Sequence, residues 1–355
     1  MIGETPNTPT ISVVVPSFRA GRYLGELCES LALQSFRDFE VLILSDGCDD
    51  HLQAGVRAYA GDSRFCIEHW SPNQGVSRAT AHLLGKVRGT YWCYPGADDL
   101  LDPSFLESRL AVMTREPTVD VVFGAGRQID SNGNPMVYGP AKEVTDRLAG
   151  WDGRSIEAAH MLRVLLQENV INTPSVLCRS DRTIPLIRRA NVSWRYAQDF
   201  HYWVLLAAAG RVFRYDHRVL HSYRMHPGQM SAVISLDAVR RVELRLVPLV
   251  ALGESAGQTA AAAQCWSEWR DDLYLQWLLR ALRLLKGRKL RREWRVRAAL
   301  TYHGRNYWPG REWFDLGLRL PGALRLHRAE KARAQRQIYV NGLRRIDDPI
   351  FRLPA

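Results

Sequence analysis

ISVVVPSFRAGRYLGELCESLALQSFRDFEVLILSDGCDD, residues 11–50, runs from one β-branched stretch through an amphipathic segment to a second apolar stretch that ends among acids. Ile11–Val15 and Phe39–Leu44 read as strands, and Tyr23–Gln34 between them reads as a helix. Strand, helix and strand in that order begin a mainly parallel sheet covered by helices.

Phe65–His69, Thr90–Tyr94 and Val119–Phe123 continue the strands, while Asp50–Tyr59, Val76–Val87 and Ser104–Thr114 continue the helices. Asp102-Pro103 is a helix-start signal for the last of these. Pro140–Gly153 is turn-rich and crosses from a first half, about 11–130, to a second half, about 131–231. There, helices are expected at about 155–168 and 199–209, with strands around Ser175–Cys178 and Val212–Tyr215. Residues 1–10 form a polar N-terminal segment. After Ser231 the sequence turns helical, basic and tryptophan-rich, which places a boundary near 232 and a separate region over 232–355.

The 355 residues include 46% hydrophobic and 24% charged, a globular balance well away from that of disordered chains. Cys28, Cys48, Cys66, Cys93, Cys178 and Cys265 show no paired spacing for zinc or redox chemistry, which suits a reducing cytoplasm. The N-terminus lacks the features of a signal peptide, and apolar runs such as Trp203–Ala209 are too short to span a bilayer. Any membrane association is therefore expected to be peripheral, on the inner face of the cell membrane. The net charge of +11 is uneven: residues 280–355 hold 20 Lys and Arg against 6 Asp and Glu, a net of +14 that leaves −3 for residues 1–279.

In open α/β sheets ligands sit at the carboxyl ends of strands. Those positions here are polar and acidic: Pro16-Ser17-Phe18, Ser45-Asp46-Gly47-Cys48-Asp49-Asp50 and Gly96-Ala97-Asp98-Asp99. Adjacent carboxylates such as Asp98 and Asp99 repel one another unless a cation or hydrogen-bond donors compensate, and a hard divalent ion, Mn²⁺ or Mg²⁺, suits them. For an isolated Asp-Asp pair, the better explanation is that Asp99 caps a turn and Asp98 is solvated.

The ordered set of motifs resembles the inverting family 2 glycosyltransferases with the A-type glycosyltransferase fold. Residues 11–50 are similar to that family's opening strands, and NQGVSRATAHLLGKVRGTYWCYPGADDLLDPSFL, residues 73–106, to its donor site. The resemblance spans about residues 10–231. It implies a nucleotide diphosphate sugar donor, with UDP the expected nucleotide, and a glycan or lipid-linked acceptor, as in surface polysaccharide assembly. Pro16 and Phe18 match the contacts to the base, and Asp46 matches the aspartate that accepts from it, with an Asx turn beside Gly47 as the alternative. Asp98 matches the contact to ribose, and Asp98 and Asp99 together match the metal ligands.

On the acceptor side, Asp199 in YAQD resembles the general base, although an N-cap role also suits it. In HSYRMHPGQMS, residues 221–231, Arg224 matches a neutraliser of leaving-group charge, and His226 matches a phosphate contact or metal ligand. Thr173, Pro174 and Ser175 match the acceptor lining, with a plain loop-to-strand turn as the alternative.

Some positions depart from the family pattern. Gly96 and Ser45 stand where aspartates are usual, Gln198 stands where an acid is more frequent, and the common Arg-Asn pair is missing around Arg78-Ala79-Thr80-Ala81. Arg78 can supply the positive charge to the donor instead, or can be an exposed helix residue. A non-catalytic nucleotide-sugar or glycan-binding protein of the same fold is the rival function, and a basic membrane-associated adaptor is another.

Trp266, Trp269, Leu273, Trp277, Ala281 and Leu284 share one helical face that suits packing on the catalytic domain. The basic run Lys286–Arg297 suits an anionic membrane surface. Nucleic acid is disfavoured, because no recognised nucleic-acid motif accompanies the charge.

Overall fold

The computed structural model describes residues 8–136, 148–190, 194, 196–230 and scattered positions between 244 and 267. Strands β1 (Ile11–Ser17) and β2 (Phe39–Asp46) are buried almost throughout. Their alternate residues serve opposite cores: Val14, Leu42 and Leu44 face one, while Val13, Val15, Val41 and Ile43 face the other. The two-residue period of a strand requires this, and it explains why both faces are apolar. β1 pairs in parallel with β2 and with β4 (Tyr91–Cys93), and β2 pairs in parallel with β3 (Phe65–Trp70).

Helix α1 (Arg22–Ala32) covers one face by burying Leu24, Leu27, Cys28 and Leu31. The helix expected over Asp50–Tyr59 is instead a 3₁₀ turn, Asp50–Leu52, followed by the single turn α2 (Ala54–Arg57). Two causes are visible. The Asp50 carboxylate is drawn back to the loop after β1, and Gly55, a poor helix former, lies against Gly25 of α1. α3 (Val76–Leu84) and α4 (Phe105–Arg115) lie where the periodicity puts them.

β6 (Val121–Gly124), β8 (Ser155–Ile156), β9 (Leu177–Arg179) and β10 (Phe213–Asp216) complete an eight-stranded sheet in the order β3-β2-β1-β4-β9-β6-β10-β8. β8 and β9 run against the others. The expected strand around Ser175–Cys178 resolves into a 3₁₀ turn, Thr173–Ser175, and β9. Because β9 is antiparallel to β4, that turn lies at the edge where β4 ends. A second sheet, β5 (Leu100–Leu101), β11 (His221–Arg224) and β7 (Arg127–Ile129), carries no sequence signal, since strands this short show no period.

α5 (Ala158–Gln167) and α7 (Gln198–Ala208) agree with expectation, whereas α6 (Ser180–Ile187) was hidden by its internal Pro185. Val247, Val250, Ala251, Leu252, Ala262 and Cys265 are buried in the same core as α5 and α7, and Thr259 Oγ1 donates to Ala208 O at 2.8 Å. The expected boundary near 232, the tryptophan stripe Trp266–Leu284, the basic run Lys286–Arg297 and part of the Pro140–Gly153 crossing lie outside the described residues. Among the described residues no helix is long and apolar enough to cross a membrane.

One polar device ties this core together. Arg109 of α4 is fully buried, and its Nη1 donates to Asp216 Oδ2 at 2.6 Å while its Nε donates to Ser175 O at 3.1 Å. Burial pulls the guanidinium down to about 10, so it stays charged at neutral pH beside Asp216. Arg109→Met strands a buried carboxylate, although Arg218 still pairs with it. The expected loss is about 3 kcal/mol of unfolding free energy, read from urea denaturation. A loss under about 1 kcal/mol would show that Arg218 alone suffices.

Candidate active site

β1, β2 and β4 are parallel and end at one edge of the sheet. Just past β1, Phe18 is 48% exposed and the Arg19 guanidinium lies 4.9 Å from its ring centroid, while Pro16 is half-buried. The loop is held by Asp50, whose carboxylate accepts from Ser17 Oγ (2.6 Å), Ala20 N (2.8 Å) and Gly21 N (3.0 Å). Burial opposes that charge, but the Ser17 hydroxyl and the two N–H groups outweigh it and hold the carboxyl below its ordinary range. Arg19 sits at φ 58°, a left-handed conformation that a non-glycine residue keeps only when its surroundings fix it.

Asp46, at the end of β2, is 2% exposed. Its oxygens accept from Gln74 N and Gly75 N, each at 2.8 Å, so the carboxylate ties a second loop to the strand. Each oxygen keeps a further lone pair. Gly47 permits this approach: at φ 70° it leaves room for Asn73, whose backbone would lie 2.2 Å from an added Cβ. Arg78 is exposed on the first turn of α3, beside this loop.

Asp98 and Asp99 follow β4. Asp98 Oδ2 lies 3.1 Å from His226 Nε2. Asp99 is 1% exposed, and while its Oδ1 accepts from Arg224 N at 2.9 Å, its Oδ2 is buried with no hydrogen-bond partner among the described residues. Burial first and the Asp98 charge second push the Asp99 carboxyl well above its ordinary range. A Cβ at Gly96 would lie 2.5 Å from Asp99 Oδ2 and 2.9 Å from Asp98 Oδ1, so an aspartate at position 96 would require these two carboxyls to shift. Two adjacent carboxyls, one in contact with the His226 imidazole and the other with a buried oxygen that has no hydrogen-bond partner among the described residues, are donor chemistry that suits a hard divalent cation.

Arg224 is buried rather than projecting into the cleft. Its Nε donates to Asp98 O at 2.8 Å, its Nη2 pairs with Glu26 of α1 at 2.5 Å, and its guanidinium lies over the Tyr23 ring at 4.5 Å. It braces the two-aspartate loop. Tyr23 also packs on His226, with ring centroids 4.7 Å apart. Neither Glu26 nor Tyr23 carried a sequence signal, since both look like ordinary positions on an amphipathic helix.

Among the described residues, the three-residue group whose ligand atoms lie close enough together to share an ion is Asp152, Asp216 and His217, not Asp98, Asp99 and His226 as they are placed here. Asp216 accepts from Arg109 and Arg218, and Asp152 pairs with His217 at 2.7 Å. A cation there would compete with two guanidiniums for Asp216.

The acceptor-side candidates separate. α7 begins at Gln198 with Ala197 as its N-cap, so Asp199 lies inside the first turn and is not the cap. Asp199 Oδ2 accepts from Thr173 Oγ1 at 2.6 Å and Oδ1 from Phe200 N at 2.7 Å, which joins Thr173 to Asp199. Ser175 lines no open surface: fully buried, it accepts from Gly124 N at 3.0 Å and donates to Asn172 O at 2.6 Å. Pro174 is buried beside it.

Residues 12–162 match the family model described as Glycosyl transferase family 2. The chain is 22% identical over 223 residues to an uncharacterized glycosyltransferase of Rickettsia typhi, covering 62% of this chain and 66% of that relative, just under two thirds. It is 29% identical over 132 residues to chondroitin synthase of Escherichia coli, or 37% of this chain and 19% of that protein. S. aureus TarS 1-349, solved in complex with UDP-GlcNAc, superposes with a TM-score of 0.55 at 16% identity over 76% of this chain and 72% of that one, a likeness of fold. Acidic strand ends on a mainly parallel α/β sheet, the matched model and these relatives agree in direction: over residues 12–162 the chain is similar to glycosyl transferase family 2.

Proposed function

We propose that the chain transfers a sugar, with inversion, from a UDP-linked donor to a glycan or lipid-linked acceptor in surface polysaccharide assembly. The buried Asp99 oxygen without a hydrogen-bond partner, next to the Asp98–His226 contact, supports this reading, because a divalent cation held with a diphosphate would satisfy it. UDP is supported by TarS, solved with UDP and with UDP-GlcNAc, and a glycan acceptor by the likeness to chondroitin synthase.

Phe18 offers a ring face to the base, and Asp46 accepts from a base N–H. Asp98, Asp99 and His226 would hold Mn²⁺ or Mg²⁺, which when bound supplies positive charge to the departing diphosphate. Arg224 contributes by fixing the Asp98 backbone. On the opposite side of the anomeric carbon, Asp199 takes the proton of the attacking hydroxyl, with the Thr173 hydroxyl orienting its carboxylate.

A thermal-shift screen of nucleotide sugars tests this directly. At about 100 times its dissociation constant a ligand stabilises by about 2.7 kcal/mol, so a UDP-sugar is expected to stand out with Mn²⁺ and fade with chelator. Stabilisation by no UDP-sugar in Mn²⁺ sinks the donor assignment. Stabilisation without any UDP release favours the non-catalytic alternative, for which Ser45 and Gly96 speak.

A further inference from the structure

Gln198, the residue before Asp199, is 4% exposed and makes a specific set of bonds. Its Nε2 donates to Thr80 Oγ1 at 3.0 Å and to Tyr94 OH at 2.7 Å. Thr80 Oγ1 gives its only hydrogen to Val76 O at 2.8 Å, so the 2.8 Å contact between Thr80 and Tyr94 is donated by the Tyr94 hydroxyl. Every hydrogen in this triangle is then assigned, and every member is neutral. A reversed amide would set its oxygen against Thr80 Oγ1, which has no hydrogen left to give. Burial pushes the Tyr94 phenol far above its ordinary range, and the Asp199 charge adds to the shift.

The three residues come from separate parts of the site. Tyr94 directly follows β4 and precedes the loop of Asp98 and Asp99, Thr80 lies on α3 behind the Asn73–Gly75 loop, and Gln198 opens the helix of Asp199. We propose that Gln198, Tyr94 and Thr80 are positioning residues that form an uncharged brace between the donor loop and the acceptor base, and that the brace demands an amide at position 198. The role rests on the reading of Asp199 as the base. A carboxylate at 198 would have no hydrogen for Thr80, and it would place a second anion beside Asp199 in a buried site.

The titratable groups around position 198 are Asp199, His201 and Tyr202 on its own helix and Tyr94 from the end of β4. α3 and the 3₁₀ turn present the hydroxyls of Thr80 and Thr173. His201 Nδ1 accepts from Trp194 Nε1 at 2.6 Å. The other helices packed on α7 carry His160 and Arg163 on α5 and Asp181 and Arg182 on α6. His160 lies edge-on to Trp151, and Arg182 pairs with Asp120.

Gln198→Glu, measured for melting temperature against pH, tests the brace without any substrate. The introduced carboxyl is expected to hold its proton in the fold above its unfolded value, so its penalty is small at low pH and grows as pH rises through the folded value. The expected shift relative to wild type is within about 2 °C at pH 5 and at least about 5 °C downward at pH 8. A shift that stays constant from pH 5 to pH 8 overturns the demand for an amide. Should Gln198→Glu fail to fold even at pH 5, Tyr94→Phe, which removes one hydroxyl, decides instead.

Release of UDP from UDP-GlcNAc and affinity for UDP in Mn²⁺ read the positioning role. Tyr94→Phe is expected to slow release at least about fivefold with UDP affinity unchanged, because misplacing a base lowers turnover rather than ground-state binding. Unchanged release, or parallel losses of release and affinity, overturns it. Asp199→Asn run alongside separates the two ideas: release that persists in Asp199→Asn removes the base reading, whereas release lost there but intact in Tyr94→Phe removes the brace alone.

Discussion

Asp199→Asn is expected to lower glycosyl transfer by roughly 10²-fold or more while leaving nucleotide affinity within about twofold of wild type. The amide keeps the size of the carboxylate; its oxygen can still accept from Phe200 N, while its NH2 can donate to the Thr173 hydroxyl that the carboxylate accepted from. What it loses is the capacity to take a proton. The contacts assigned to the nucleotide come from Phe18, Asp46 and Asp98, at the ends of β1, β2 and β4, so donor binding should survive. Transfer and UDP affinity measured on one folded preparation decide the point. Transfer near the wild-type rate would leave Asp199 as an anchor for Thr173, and joint loss of transfer, affinity and stability would make it structural.

The second large effect is expected at Asp99. Chelation should weaken UDP binding by roughly tenfold or more, about 1.4 kcal/mol, because an anionic diphosphate would then meet Asp98 and Asp99 with no cation between them. In Asp99→Ala the difference between Mn²⁺ and chelator should vanish. That substitution removes the donorless Oδ2 and also the acceptor for Arg224 N. Asp99→Asn is therefore the companion variant: its amide can keep the bond from Arg224 N while the anionic charge is gone. Calorimetric titration of UDP with and without chelator reads both. Equal wild-type affinity in the two buffers would remove the metal from these residues.

Much of this site was legible in the order of strands and acids. Alternation of β-branched runs with amphipathic segments placed β1, β2 and β3 and the helices α1 and α3, because strand and helix periods are local properties of the chain. From the rule that ligands meet parallel sheets at strand ends came Phe18, Asp46, Asp98 and Asp99 as neighbours on one edge. The short strands β5, β7 and β11 and the proline-containing α6 escaped, since a few residues carry no period and Pro185 speaks against a helix.

What sequence alone determined, then, is the class of fold and the residue types at each strand end. Tertiary structure alone decided the state of each polar group. Arg224 reads as a free cation in HSYRMHPGQMS, yet it is buried against Glu26, 198 residues away in sequence. Ser175 reads as an acceptor contact but is sealed beneath Gly124, and Gln198 reads as a lapse from the usual acid but closes a neutral triangle with Thr80 and Tyr94, 118 and 104 residues away. Periodicity is written in neighbouring residues, whereas burial and hydrogen-bond partnership are set by elements that meet only when the sheet closes, and whether a side chain carries charge, donates or accepts follows from them.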